Sequence, residues 1–484
     1  MNTDFELLEE QIKDNNISWY PFEENKQYEI IKELTKQNED ELKSVVSRLK
    51  EDGKTLIFID NKLAMKNICL YNYKQNFLYN KREIEELLDK YGLKFRKFYY
   101  LLPDAKMTNV IFTDKHLPDN ETISRNIGFY DDEVFLKNTE NYEYKKILSQ
   151  DRELFKIFAN AYLVECSKNE FKDNEIEFVS FSNMRKEEYR IKTIIKGDYV
   201  YKDSANKKSE KHIDDIKKNI DILNNVNLKT LDSYNKTSII SKYQKDGKTL
   251  DKVLKELILD KQKDEAKQII EKLINELKEK LIIVDKTEKN VFDLYNIEYN
   301  KDEINNLTFI KYGLWDLIFQ NIFYIDNQYY FYDQEWMEKN IPIEFIIFRS
   351  FIYSQDLAEN ILLNDVWEYF NITEENIGLF QKLDIELQKK TRDEIAWKLN
   401  SDNGVTQRRL IEKIETLEAD KQKISQDCRE LLIQKDNRIR DLEENLSNTI
   451  NNLKQKEQEL EIMKKSKSWK ITEPLRKLRG EKSE

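Results

Sequence analysis

From Leu410 onward the chain repeats itself. Leu410, Leu417, Ile424 and Leu431 stand seven residues apart, and after a one-residue shift Leu432, Ile439, Leu446, Leu453 and Leu460 keep the interval. Ile414 and Leu442 fill intermediate positions, whereas Lys421, Lys435 and Lys456 interrupt them. A seven-residue apolar interval with charged flanks holds one stripe of a helix against a partner helix, the pattern of a coiled coil. Residues 405–464 are therefore expected to form a rod that joins copies of this chain into a homo-oligomer. Roughly sixty helical residues at about 1.5 Å each reach on the order of 90 Å.

The remaining sequence has to supply the globular part; at 484 residues the chain is long enough for two or three domains, each with its own core. Only 39% of residues are hydrophobic and 36% are charged, as a chain with a large non-core portion requires. Glycine and proline are scarce, 9 and 5, which argues against flexible linkers and Pro-rich disorder. A net charge of −11 disfavours a general nucleic-acid binder. Cys69, Cys166 and Cys428 are isolated, and His116 and His212 are the only histidines, so disulfide frameworks, zinc clusters and Ser-His-Asp triads lack material. The acidic start "MNTDFELLEEQIKDNN" does not resemble a signal peptide, and no run approaches 18 apolar residues, so a cytoplasmic protein is expected.

Along the globular part, residues 1–130 alternate short strands and helices. "KTLIFID" reads as a buried strand, "KREIEELLDKYG" as an amphipathic helix ended by Gly92, and "LKFRKFYYLLPD" as a strand closed by Pro103. A second region, 150–400, is expected to open with a helix over "DRELFKIFANAYLVECSK" and to continue into strands over "EIEFVSFSNMRKEEYRIKTIIKGDYVYKDS". The pattern is helical from Glu210 to about Lys280, strand-like from Phe309 to Asp333, and helical again from Ile343 to about Leu399.

The stretch "WDLIFQNIFYIDNQYYFYDQEW" carries the chemistry. Phosphoryl transfer from ATP uses one carboxylate to orient or deprotonate the attacking hydroxyl, an amide and a second carboxylate to hold Mg²⁺, and a lysine on the phosphates. Asp316-x-x-x-x-Asn321 has the loop spacing of the first two. "IFYIDNQYYFY" then makes a hairpin turning at Asp326-Asn327-Gln328 and delivers Asp333, twelve residues after Asn321. Taken singly, Asp316 reads as a turn residue and Lys202 as a surface lysine; the ordered combination is the signal.

This segment resembles the catalytic segment of the aminoglycoside-phosphotransferase-like branch of the kinase superfamily. The resemblance implies an α+β, bilobal protein-kinase-like domain that uses ATP and Mg²⁺, with Asp316 catalytic and Asn321 and Asp333 as metal ligands. It implies that Lys202, at the end of "YVYKDS", meets the phosphates, with Glu210, Asp214 or Asp215 of the next helix as its salt-bridge partner. "YQKDGKTLDKVLKEL" resembles the hinge and helix of the branch. Two departures stand out. Leu314 and Trp315 replace the usual His and Gly before the catalytic aspartate, and the loop "SFSNMRKEEYR" has no glycine, which leaves Ser182, Asn183 or Arg185 to contact phosphates through side chains.

The first region resembles the C-terminal half of a class I methyltransferase, a partial α/β domain. An AdoMet site needs a glycine-rich strand-to-helix turn, and no glycine precedes Gly53, so a domain without its cofactor site is expected. A methyltransferase-like domain, a kinase and a C-terminal α-helical coiled coil in that order resemble the kinase–methyltransferases that terminate O-antigen chains. The resemblance implies a surface-glycan acceptor and a glycosyltransferase or polymerase partner. The tail 465–484, "SKSWKITEPLRKLRG", resembles a motif found beside surface-glycan glycosyltransferases; its Trp469, Ile471, Leu475 and Leu478 among basic residues suit an anionic membrane's inner face or a partner protein. The competing functions are a catalytically dead pseudokinase scaffold and, with least support, an active methyltransferase.

Overall fold

The structure, a computed structural model, describes residues 28–31, 33–69, 77–119, 122–123, 134–245, 247–285, 288–354, 357 and 366–478. The acidic N-terminal stretch, the beginning of "ISWYPFEENKQYEIIKEL" and the last six residues lie outside these. The chain forms two compact units, 1–404 and 405–484.

The first unit is a mixed α+β structure built on a ten-stranded, mostly antiparallel sheet. Its strands are β1 (Tyr28–Ile31), β2 (Lys54–Asp60), β3 (Phe95–Leu102), β4 (Val110–Phe112), β5 (Ala161–Ser167), β6 (Ile176–Phe181), β7 (Ile191–Lys196), β8 (Tyr199–Ser204), β9 (Asp232–Tyr234) and β10 (Ser238–Lys242). They lie in the order β1-β2-β5-β3-β4-β6-β7-β8-β10-β9. β1 runs parallel to β2, while β5 inserts antiparallel between β2 and β3. The pairing of β4 with β6 joins the strands of the first region to those of the second without a break.

Two expectations need correction here. The helix foreseen over Asp151 to Lys168 is only a short one, Phe155–Phe158, and "AYLVECS" is instead β5. All seven β5 residues are buried, with strands on both edges and packing on both faces, so the run shows no polar alternation to betray it. The helical stretch from Glu210 to Lys280 is interrupted by β9 and β10. Their turn is set by Asn235, whose Oδ1 accepts from the backbone N–H of Thr237 (2.9 Å) and Ser238 (2.8 Å), a local bond that competes with helix.

Period-two alternation divides the central strands between two cores. Ile57, Ile59, Tyr100, Leu102, Tyr162 and Val164 face one cluster, and Leu56, Phe58, Tyr99, Leu101 and Leu163 face the other. The helix Lys81–Lys90 closes with Gly92 at φ +78°, a conformation glycine adopts without Cβ strain. The helix Glu210–Asn225 lays Ile213, Ile216 and Ile220 on Ile191 and Ile239 of the sheet. A third core gathers the helices Leu250–Leu259, Lys263–Lys280, Ile343–Ile352 and Glu374–Thr391 around two small two-stranded sheets: β11 (Phe309–Leu314) with β14 (Met337–Pro342), and the hairpin of β12 (Ile322–Ile325) with β13 (Gln328–Phe331).

The second unit is helical. The helix Glu394–Lys465 carries the heptads, and a shorter helix, Lys467–Leu478, follows it. Ile424, Leu431, Leu432, Ile439, Leu446, Leu453 and Leu460 are each more than half exposed on this single chain. The side chains of Leu410, Ile414 and Leu417 lie outside the described residues. Among the described residues no helix is long and apolar enough to cross a membrane.

Candidate active site

The β12–β13 hairpin is built by its turn. Ile325 pairs with Gln328, leaving Asp326 and Asn327 as a two-residue loop with φ of +49° and +60°. Two positive φ values match the right-handed twist of the strands, and Asp and Asn tolerate them better than other side chains. The hairpin is held in place by β13, whose Phe331 exchanges backbone bonds with Lys229 (2.8 Å) and Leu231 (2.9 Å). Two residues beyond β13 the chain bends at Asp333, φ +60°. The Asp333 N–H donates to Oδ2 of Asp232 (2.8 Å), which fixes the bend.

The loop before the hairpin is tied to the segment after it. Asn321 Nδ2 donates to the Asp316 carbonyl (3.1 Å), and the Tyr332 N–H donates to the Asn321 carbonyl (3.1 Å). Gln334, fully buried, donates from Nε2 to the carbonyls of Asp316 (3.0 Å) and Tyr332 (2.8 Å). The loop carrying Asp316 and Asn321 is thus hydrogen-bonded to Tyr332 and Gln334, the residues on either side of Asp333.

Lys202 reaches the same place from the other side. Its Nζ pairs with Asp333 and with Glu335 Oε1 (2.9 Å). Glu335, only 4% exposed, also pairs with Arg185 and lies 3.6 Å from His212 Nε2, too far for a hydrogen bond. Burial alone would push its carboxyl up, but Arg185, Lys202 and His212 outweigh burial and hold it well below the usual carboxylate range.

Arg185 comes from the glycine-free loop, and the structure shows how that loop keeps its shape. The Lys186 N–H donates to the Thr391 carbonyl (3.0 Å) and the Asp393 N–H to the Met184 carbonyl (3.0 Å), so the loop pairs strand-like with the segment after the helix Glu374–Thr391. Arg190, buried in the same loop, donates from Nε to the Arg185 carbonyl (2.9 Å) and faces Asp393 at 3.6 Å.

Asp316 is gripped by Arg349 of the helix Ile343–Ile352. Arg349 Nη2 lies 3.3 Å from Asp316 Oδ1, its Nε donates to the Trp315 carbonyl (3.1 Å), and Nη1 pairs with Asp384. Its guanidinium sits 4.4 Å from the ring of Trp315 and 4.8 Å from that of Tyr353. Burial, with Glu335 nearby, pushes the Asp316 carboxyl up to about 6 against the opposing pull of Arg349, Arg185 and Lys202.

Lys202, Arg185, Asp333 and Glu335 all line one cavity of about 650 Å³, which runs on to the linker residues Tyr243 and Gln244. Ser182 also lines it. Asp316 and Asn321 do not; their neighbour Gln320 does. Asn183 is buried and turned away, donating to the carbonyl of Thr108 (2.9 Å) and to Asn109 (3.1 Å), so it joins two sheet segments. Glu210 is exposed, and Asp214 and Asp215 pair with Lys217 (2.9 Å) and Lys218 (2.5 Å). The helix phase is the reason: its isoleucine stripe faces the sheet and carries His212 inward with it, putting Glu210 and Asp214 outside. Glu335, Arg349, Asp232 and His212 were not foreseen. Glu335 had a signal, two residues past Asp333 in "YDQEW"; Arg349 had none.

Only part of the expected donor set stands where magnesium brought in with phosphates would need it: Asp333 lines the cavity and Asn321 does not. Asp333 offers a carboxylate and Asn321 an amide oxygen, the hard ligands that Mg²⁺ takes in small number beside phosphate oxygens and water. Among the described residues there is no group of three or more His, Cys, Asp or Glu that could hold a metal ion by itself.

No protein-family model and no curated protein matches the chain. Two solved structures are similar to part of it. The crystal structure of choline kinase LicA from Streptococcus pneumoniae has a TM-score of 0.29 and 13% identity, covering 48% of this chain and 87% of that one. LicA in complex with AMP has a TM-score of 0.25 and 14% identity, covering 49% and 87%. Similarity this weak says nothing about activity, which has to come from the residues.

Proposed function

We propose that the chain is an ATP- and Mg²⁺-dependent phosphotransferase whose acceptor is a sugar hydroxyl of a bacterial cell-surface polysaccharide, phosphorylated to end the chain. One observation carries the phosphotransferase reading: Lys202, Arg185 and Asp333 converge on a single cavity, beside a loop that holds a carboxyl raised to about 6. When bound, the magnesium ion neutralises charge on the phosphates. Asp333 and Asn321 would hold it. Lys202 and Arg185 would bind the phosphates, exchanging their present carboxylate partners for phosphate oxygens. Asp316 would take the proton of the attacking hydroxyl, and a carboxyl near 6 is mostly ionised at neutral pH yet more basic than an ordinary one.

Around this centre the remaining parts take supporting roles. The order β1-β2-β5-β3, with β5 of the second region antiparallel between two first-region strands that share a direction, supports reading the first region together with β5 as a methyltransferase-like remnant that now serves as structure. The exposed heptad stripe supports a coiled coil whose second strand is another copy of this chain. Trp469, capped by Arg476 at 3.6 Å, with the exposed Ile471, Leu475 and Leu478, supports docking of the tail on a glycosyltransferase, a polymerase or the inner face of the membrane.

A catalytically inactive scaffold for glycosyltransferases is the second reading. It is favoured by one observation, that Asp316 is ion-paired to Arg349 and stands off the cavity wall. Thermal shift and glycan phosphorylation separate the two. Wild-type protein is expected to be stabilised by ATP with Mg²⁺, Asp333→Ala to lose that metal-dependent binding, and Asp316→Asn to bind but not transfer. Stabilisation by ATP-Mg²⁺ without transfer to any glycan supports the scaffold; no stabilisation of wild-type protein refutes the kinase.

A further inference from the structure

The sheet register shows where a nucleoside would lie. Ser180, Thr193 and Lys202 stand on one rung across β6, β7 and β8; Phe178, Ile195, Val200 and Ser241 stand on the next, two residues nearer the linker. Successive same-face positions on a strand are about 7 Å apart. With triphosphate at Lys202, a base therefore falls on the Phe178–Val200 rung, with Phe323 also lining the cavity there and the Tyr243 linker at its edge.

That end of the cavity is not closed by the kinase-like strands alone. The turn after β4 brings His116 against Phe178 (ring centroids 4.8 Å) and Tyr243 (6.3 Å). The chain then runs to Asp119 and Thr122, and both line the cavity together with Lys252 of the helix Leu250–Leu259. The segment is anchored. Arg152 donates from Nε to the Pro118 carbonyl (3.0 Å) and pairs with that of Leu117. Thr122 gives both its N–H (2.7 Å) and its hydroxyl (2.6 Å) to Asp119 Oδ1, which orients the carboxylate and leaves Oδ2 to other donors. Burial pushes the Asp119 carboxyl up, but the Thr122 bonds and the charges of Lys252 and Arg152 prevail, so it is ionised at neutral pH.

We infer that the first region is part of the nucleotide site: Asp119, oriented by Thr122, accepts the ribose hydroxyls of the bound nucleoside triphosphate, and His116, packed on the lining residues Phe178 and Tyr243, backs the base end. This rests on the phosphotransferase reading and deepens it. A region read as support is then required for nucleotide selectivity, and removing it would open the cavity at its nucleoside end. No part of Lys202, Asp333 or Glu335 touches this segment in the bonds described above, so the two ends can be tested separately.

The test compares full-length wild type with Asp119→Asn, whose amide keeps the shape and can still accept from Thr122. Calorimetry with Mg²⁺ would use three probes: ATP, 2′,3′-dideoxy-ATP and tripolyphosphate. A charged hydrogen bond corresponds to about tenfold or more in affinity. Wild type is therefore expected to bind ATP about tenfold more tightly than the dideoxy analogue. Asp119→Asn should lose that preference while binding tripolyphosphate as wild type does. Circular dichroism and unliganded thermal midpoints check the fold, and His116→Ala should weaken ATP but not tripolyphosphate. Equal affinity of wild type for ATP and the dideoxy analogue overturns the inference, as does a parallel loss of ATP and tripolyphosphate in Asp119→Asn. Wild-type protein that binds none of the three sinks the nucleotide reading itself.

Discussion

Replacing Asp316 by asparagine should make the protein more stable at neutral pH while abolishing transfer. Its carboxyl is raised from the ordinary 3.8 to about 6 in the fold, chiefly by burial. At about 1.36 kcal/mol per pKa unit, that displacement corresponds to roughly 3 kcal/mol. The sign follows from linkage. A carboxyl raised by folding favours the folded state while it is protonated in both states, below about pH 4, and that contribution is lost as pH rises through about 6. Above pH 7 the wild type therefore carries the full cost of an ionised, poorly solvated carboxylate, only partly offset by Arg349 at 3.3 Å. Asparagine does not ionise, and Arg349 keeps Asp384 as a partner. Thermal unfolding of both proteins between pH 4 and 8 is the assay. The variant should be more stable by up to about 3 kcal/mol at pH 8, with the gap closing between about pH 6 and 4. A gap that does not change with pH, or a wild type more stable than the variant at pH 8, would refute the electrostatic account of Asp316. The trade of stability for a poised base is what a catalytic carboxylate requires.

Three further outcomes are expected. Gly313→Ala places a Cβ 1.7 Å from Ile341 Cγ2 across the β11–β14 pair, so it should lower stability by about 1–3 kcal/mol or more in urea unfolding. Full-length protein should sediment as a dimer or trimer, whereas truncation before Val405 should give a monomer that still binds ATP; a compact full-length monomer would remove the coiled coil. Calorimetry should find no AdoMet binding, because no glycine precedes Gly53 to let backbone approach that cofactor; micromolar affinity would overturn the remnant reading.

What could be read from the chain alone is what local physics specifies. The spacing of Asp316 and Asn321, the Asp326-Asn327 turn and the strand carrying Lys202 each depend on a few neighbouring residues, and the structure has a hairpin and a strand where the pattern put them. The helix Lys81–Lys90, capped reciprocally by Asn80 and Glu83, is legible for the same reason. Pairings between distant segments were not. Arg185 meets Glu335 across 150 positions and Arg349 meets Asp316 across 33, and nothing near any of these residues marks its partner. Which face of the helix Glu210–Asn225 looks inward depended on where its isoleucines found the sheet, and this set His212, not Glu210, beside Glu335. β5 hid for a related reason: a strand buried on both faces and both edges has lost the alternation by which strands are recognised. Sequence determines elements because turns, caps and periodicity act over a few residues. Only tertiary packing, by choosing which faces and edges meet, decided which charges share a site and brought Asp119 to the wall of the cavity.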